Sequence, residues 1–355
     1  MRMPRCYVPA QLGTGFYHVC SRIVDRRFIF GNAEKAHFLK LVRLYEQLCQ
    51  VRVLTYCLMD NHFHLLVEVP VRPEVLPNEA ELLEIIEQVF GKDRALALRL
   101  EWRAWREADT ADSGFGEQRV QEAIGAWLAR MYDISAFMKI IKQRFTQWYN
   151  KRNERYGTLW EDRFKSTIVE GGDALATIAA YIDLNPIRAG IVEDPKDYRW
   201  SGYGAATGGE KQAQEALVRV MELSLGQAVF AKEMKSGGQR RARTLYRERL
   251  LCWGVEQGVQ ANGQPKKRGM NPEKAAKELT KTGGQLSRAE LVRCRVRYFS
   301  QGVALGSKEY VEEIFKAMRE RFGEKRKDGA RRLRGTENSV GLYALRDLGR
   351  VKADN

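Results

Sequence analysis

Met59-Asp60-Asn61-His62-Phe63-His64-Leu65-Leu66-Val67 is the stretch on which the fold of this chain turns. Met59-Asp60-Asn61 reads as a turn, and residues 62–69 as a strand that leaves it. Side chains on a strand alternate between faces. His62 and His64 therefore project together, while Phe63, Leu65 and Val67 face the apolar side. The chain has only four histidines, so two of them one residue apart stand out. Two imidazoles at i and i+2 can share a divalent metal ion, with a third ligand from elsewhere. The plainer alternative is a half-exposed strand carrying two solvated histidines. Glu68 reads as a solvated carboxylate at the strand end.

Working outward, residues 51–58 form a second strand that pairs with 62–69 as a hairpin. Residues 15–24 are rich in aromatic and β-branched types and read as a first strand. Phe38, Leu41, Val42, Tyr45 and Leu48 recur at helical spacing within 33–49. Residues 71–130 hold 12 acidic and 8 basic residues and read as an inserted, mainly helical segment. Residues 133–152 present Ile134, Phe137, Met138, Ile141 and Phe145 on one helical face. A strand follows over 163–170. Asp173 can cap a helix that runs to about Asn185, where Pro186 interrupts or ends it. The order β-α-β-β, helix, strand, helix predicts an α+β fold, with an antiparallel sheet and helices segregated to one face.

On that last helix Tyr181 and Asn185 lie one turn apart, only ~40° around the axis. A phenol and a carboxamide then project together at the edge of the apolar face. An amphipathic tyrosine completing the core, followed by a helix-terminating asparagine, is the better reading of these residues alone.

Charge divides the chain unevenly. Residues 231–355 carry 30 Lys+Arg and 15 Asp+Glu, which accounts for the whole net charge of +15 over 355 residues. A neutral core with a basic extension is expected, and an excess of this size suggests a polyanionic partner such as nucleic acid. No uncharged apolar run approaches the ~20 residues of a membrane helix. The start of the chain leads into Cys6-Tyr7-Val8-Pro9 rather than an apolar signal core, which argues for a cytoplasmic protein. The six cysteines form no CxxC pair, so a zinc knuckle is not indicated. No GxxxxGK[ST] loop is present, so no nucleotide cofactor is expected.

Four stretches, taken in order, resemble one family. They are Tyr17-His18-Val19, the strand from Met59 to Val67, Gly157-Thr158-Leu159-Trp160-Glu161-Asp162-Arg163-Phe164-Lys165-Ser166, and Ala180-Tyr181-Ile182-Asp183-Leu184-Asn185-Pro186-Ile187-Arg188-Ala189-Gly190. The resemblance is to the REP-associated tyrosine transposases, within the single-tyrosine HUH group, and covers about residues 5–205. It implies a ferredoxin-like βαβ sheet, Tyr181 as nucleophile, and His62, His64 and Asn185 as ligands of Mg²⁺ or Mn²⁺. It implies single-stranded or hairpin DNA as partner, cleaved and rejoined through a 5′-phosphotyrosine, by a monomer or homodimer. Arg163, Lys165 and Arg188 are candidate phosphate contacts or ordinary surface charges. Trp148, Tyr149 and Trp160 can stack bases, though packing is the better reading of Trp148. His18 reads as a packed or hydrogen-bonded strand residue without a chemical role.

The expected organisation is a catalytic core over 1–205, a linker over 206–230, and a basic, mainly helical DNA-binding region over 231–355. A non-catalytic hairpin-binding regulator and a replication-initiator or relaxase nuclease are the rival readings.

Overall fold

The computed structural model describes residues 5–109, 114–235, 238–254, 257–259, 265–267, 269–281, 299, 302–324, 326–333 and 341–345. The chain divides into two compact units. One comprises Met1–Phe30, Val53–Glu68 and Trp160–Asn355; the other comprises Gly31–Arg52 and Val69–Leu159.

The first unit is built on a seven-stranded sheet. Strands β1 (Gly15–Arg22), β2 (Arg52–Leu58), β3 (His62–Val69) and β4 (Lys165–Val169) lie in the order β2-β3-β1-β4. With the crossovers after β1 and β3, this is the ferredoxin-like βαββαβ arrangement. The Met59 N–H donates to the His62 carbonyl at 2.9 Å and closes the β2–β3 turn. β1 runs antiparallel to β4, with His18 opposite Thr167. β3 is covered on both faces: every residue from Phe63 to Val69 is buried. A strand in the middle of a sheet reads as a continuous apolar run for this reason, and the half-exposed alternative for β3 does not hold.

Glu68 is a correction. It is 4% exposed and receives Arg219 at 2.7 Å. A carboxylate in that position needs a cation because bare burial of the charge would be costly.

The C-terminal region does not stand apart from the core. β7 (Ala304–Gly306) adds parallel to β4, and β9 (Tyr343–Leu345) and β8 (Ala330–Arg332) continue the same sheet. A separate two-stranded ribbon pairs β5 (Gln257–Val259) with β6 (Pro265–Lys267). By residue count the described part is mainly helical, through α10 (Gln227–Lys235), α11 (Gly238–Gly254), α12 (Pro272–Lys281) and α13 (Lys308–Ala317). The expected boundary at 206–230 is instead filled by α9 (Lys211–Leu225), with Ala213, Ala216, Leu217, Val220 and Met221 buried. Charge marked a compositional border here, but apolar burial ignores net charge. Lys325 and Arg334, two of the basic residues near the C-terminus, lie outside the described residues.

Helix α6 (Asp173–Asp183) is buried along nearly its whole length. Asp173, expected as the cap, is instead the first helical residue; Gly172, at φ 74°, holds the cap position and no side chain caps the helix. The short helix α7 (Asn185–Arg188) follows after one non-helical residue.

Asp183, at the end of α6, is 1% exposed. Its carboxylate accepts from Thr55 Oγ1 (2.9 Å), the Tyr203 N–H (3.0 Å) and the Tyr246 hydroxyl (2.5 Å). These donors come from β2, from α8 (Gly202–Thr207) and from α11. One carboxylate thus ties four elements together. Gly202 is required here, because a Cβ would collide with Thr55 Oγ1.

The second unit is helical. α1 (Asn32–Leu48) packs on α5 (Ile134–Arg152), and α2 (Glu79–Phe90), α3 (Lys92–Glu107) and α4 (Phe115–Leu128) form the insertion. Asn78 and Glu81 make a reciprocal cap at the start of α2. Trp102, Leu82, Ile86, Leu98, Val120 and Ile124 form its core. Arg106 joins Glu79 and Glu117 at 2.6 Å each. The inserted segment is mainly helical, as its sequence predicts.

Candidate active site

His62 and His64 leave β3 on the same face, as alternation requires. Their ring centroids lie 5.1 Å apart, with planes at 85°. What fixes each ring is its Nδ1. His62 Nδ1 lies 2.7 Å from Asn61 Oδ1. The Asn61 amide is itself oriented, since its Nδ2 donates to the Arg26 carbonyl at 3.1 Å. Oδ1 can only accept, so His62 Nδ1 carries the proton and Nε2 keeps its lone pair.

His64 is fixed by a longer chain. His18 Nδ1 lies 2.5 Å from the Phe299 carbonyl, and His18 Nε2 lies 2.9 Å from His64 Nδ1. A carbonyl only accepts, so His18 Nδ1 donates. Neutral His18 then accepts at Nε2, and His64 must donate from Nδ1. His64 Nε2 is left with a lone pair, like that of His62. The charges agree with this assignment. Burial pulls His18 down to about 4, with the Phe299 carbonyl working in the opposite sense. Burial, then Arg22, brings His62 to about 4 against the pull of Asp60. Burial, reinforced by His18, His62, Arg22 and Arg188, holds His64 well below the usual histidine range.

Tyr181 lies beside this pair. Its ring centroid is 5.9 Å from those of both His18 and His64, edge-on to each. The Phe299 ring is 4.9 Å away, and Tyr181 is only 4% exposed. Burial pushes its phenol up to about 12, although Arg188 opposes this. The Arg188 guanidinium lies 4.9 Å from the ring centroid.

The break between α6 and α7 explains Asn185. Pro186 has no N–H to offer the Ile182 carbonyl one turn back. Asn185 Nδ2 supplies the missing donor at 3.2 Å, and also bonds the Tyr181 carbonyl at 3.0 Å. The amide nitrogen is thus turned towards the helix carbonyls, so Oδ1 is the atom that remains for a ligand.

The fold therefore brings His62, His64, Tyr181, Asn185 and Arg188 into one unit. Arg163 and Lys165 are exposed where the chain enters β4. Trp160 is a core residue, 5.6 Å from Phe63 and 6.2 Å from Phe30 between ring centroids. Trp148 is half-buried and stacks on His37 at 4.0 Å. Tyr149 lies 6.2 Å from Phe145. His18 is hydrogen-bonded, as read from the sequence, but its bond to His64 sets the tautomer of a candidate ligand. Phe299 carried no local signal: it is far away in sequence, and only the fold delivers it. Asp183 sat unremarked between Tyr181 and Asn185, although an acidic residue on an otherwise apolar helix face was a visible sign of a buried network.

Among the described residues no group of three or more His, Cys, Asp or Glu is arranged to hold a metal ion. The two free Nε2 atoms and an amide oxygen are nonetheless a donor set suited to a divalent cation.

No curated protein matches the chain. Among solved structures it is similar to one described as the REP-associated tyrosine transposase bound to a REP hairpin. That similarity has 12% identity and a TM-score of 0.37, covering 59% of this chain and 87% of the other. Residues 14–77 match the sequence profile of the family described as IS200-like transposase, a span that includes His18, His62 and His64. Over that span, the chain carries the sequence pattern of the IS200-like transposases.

Proposed function

We propose that the chain is a metal-dependent DNA strand transferase acting on single-stranded or hairpin DNA. The observation that carries this reading is the pair of Nε2 lone pairs, each left free by a fixed Nδ1 bond, beside the Tyr181 ring. His62, His64 and Asn185 would hold Mg²⁺ or Mn²⁺. When bound, the ion would polarise the scissile phosphate and offset its developing charge.

Tyr181 is the nucleophile. Its Oη bonds to phosphorus in line with the leaving 3′-oxygen, and the P–O3′ bond breaks. The products are a 5′-phosphotyrosine and a free 3′-OH, and the phenolic proton passes to solvent as the 3′-oxygen gains one. A second 3′-OH can reverse the step at a new junction, so no nucleoside triphosphate is consumed. Arg188 faces the Tyr181 ring and favours the anionic phenolate. The His18–His64 bond keeps the His64 lone pair directed outward. Repetitive extragenic palindromes are the proposed DNA, in the cytoplasm at the nucleoid. Among the described residues no helix is long and apolar enough to cross a membrane.

One observation favours the rival reading, a hairpin-binding regulator that does not cut: the buried phenol under Phe299. The decisive assay incubates the protein with labelled hairpin DNA and Mn²⁺ or Mg²⁺, then resolves covalent adducts under denaturing conditions. An adduct formed by the wild type and absent in Tyr181→Phe supports transfer. Binding without any adduct in either metal, and also in Phe299→Ala, supports the regulator.

A further inference from the structure

The helical unit contains a cavity of about 590 Å³, within the ~300–1,000 Å³ range of small-molecule sites. It opens among α1, α2, α3, α4 and α5. Its charged lining is Arg94, Arg130, Lys139 and Arg144, and no carboxylate lines it. This contrasts with the insertion as a whole, where 12 acidic residues outnumber 8 basic ones over 71–130. Arg94 and Arg130 come from this acidic segment, while Lys139 and Arg144 come from α5. α5 adds to this, with five Lys+Arg and no Asp or Glu over Ile134–Arg152.

These cations have little to do within the protein. Arg94, Lys139 and Arg144 are exposed and form no ion pair or hydrogen bond among the described residues. Like charges brought together without counter-charges raise the local potential and attract an anion. The floor of the cavity is aromatic. Tyr45, Phe90 and Trp127 meet edge to face, at 6.0 Å for each successive pair. The Arg130 guanidinium lies over the Trp127 ring, 4.5 Å from its centroid. Planar aromatic and guanidinium surfaces stack nucleobases, and surrounding cations take the phosphates.

We propose that this cavity is a second, non-catalytic binding site for single-stranded DNA. One base stacks against the Trp127–Arg130 pair, and the adjoining phosphates are held by Arg94, Lys139 and Arg144. The proposal rests on the reading of the chain as a DNA-handling protein, but not on Tyr181.

The test is fluorescence anisotropy of labelled dT12 on the full chain in EDTA, where metal-dependent cleavage does not operate. The comparison is with Arg94→Ser/Lys139→Ser/Arg144→Ser, whose replaced side chains form no ion pair or hydrogen bond among the described residues. The variant is expected to bind dT12 at least tenfold more weakly at low salt. Losing three phosphate contacts at ~0.7 each lowers the slope of log K against log salt by about 2. An unchanged affinity and slope would overturn the site. Equal loss of affinity for a twelve-base-pair duplex would overturn its preference for a single strand. Displacement of dT12 by thymidine 5′-monophosphate at equal nucleotide concentration would reassign the cavity to a free nucleotide, and so also overturns the proposal. A variant that loses dT12 binding, from a wild type that forms no adduct with hairpin DNA, would sink the transferase reading and leave this one standing.

Discussion

The two units handle polar groups in opposite ways. In the sheet unit, His18, His64 and Asp183 are almost wholly buried, and each has named partners. In the helical unit, Arg94, Lys139 and Arg144 are exposed around a cavity with no partner among the described residues. Burial makes an unmet hydrogen bond expensive, so the sheet unit fixes tautomers and rotamers. Such fixing suits a site where a reacting atom must sit within a fraction of an ångström. Solvated cations hold no single geometry, and suit attraction of a flexible polyanion.

Substitutions can break this contrast. The largest effect is expected from Tyr181→Phe, which removes the proposed attacking oxygen and keeps the ring; covalent adduct should fall below detection while hairpin binding persists. His18→Leu should come next. It leaves His64 Nδ1 without its acceptor, and loss of such a supporting bond typically costs 10–100-fold in metal affinity or activity. The check is adduct yield against Mn²⁺ concentration, and an unshifted titration would remove His18 from the positioning role. Tyr246→Phe should lower stability by about 1–3 kcal/mol, because Asp183 loses a donor it cannot replace with water. Urea unfolding measures it, and no change would mean that the buried carboxylate does not depend on its network.

Arg247 is an intermediate case. It is largely buried and pairs with Asp194 at 2.6 Å and Glu278 at 2.8 Å. Burial works against the Asp194 carboxylate, yet Arg247 and Lys196 hold it below the usual range; Arg247 does the same for Glu278. Carboxylates depressed in this way contribute stability that is present above their unfolded pKa and lost as pH falls through the folded one. The destabilisation by Arg247→Leu should therefore be largest near neutrality and shrink in acid, as followed by urea midpoints at several pH values. The smallest effect on folding is expected for Arg94→Ser/Lys139→Ser/Arg144→Ser. Each change should fall within about 0.5 kcal/mol, the ordinary range for surface substitutions. A large loss would show that the cavity rim is structural.

Much of the core was legible because it rests on local periodicity. Alternation put His62 and His64 on one face, the 3.6-residue repeat put Tyr181 beside Asn185, and Asn61 and Asp60 marked the hairpin turn. Glu68, Trp160 and the C-terminal boundary were read differently, for a shared reason. A strand-end carboxylate looks solvated until Arg219 arrives from a helix 151 residues away. Trp160 looks free to stack bases until Phe30 and Phe63 enclose it. A basic segment looks detachable until β7 pairs with β4 and carries β9 and β8 into the same sheet. Composition records what a residue is, not which distant element covers it.

The sequence by itself determined the order of strands and helices up to the helix that carries Tyr181, the histidine pair and the tyrosine–asparagine turn, because each depends on residues within about one turn or one strand. Only the tertiary structure decided which histidine nitrogens are free, since that needed His18 and the Phe299 carbonyl at 281 residues' separation. It also decided that cations of the acidic insertion and of α5 meet in one cavity, because the packing of five helices, not their order, sets which side chains converge.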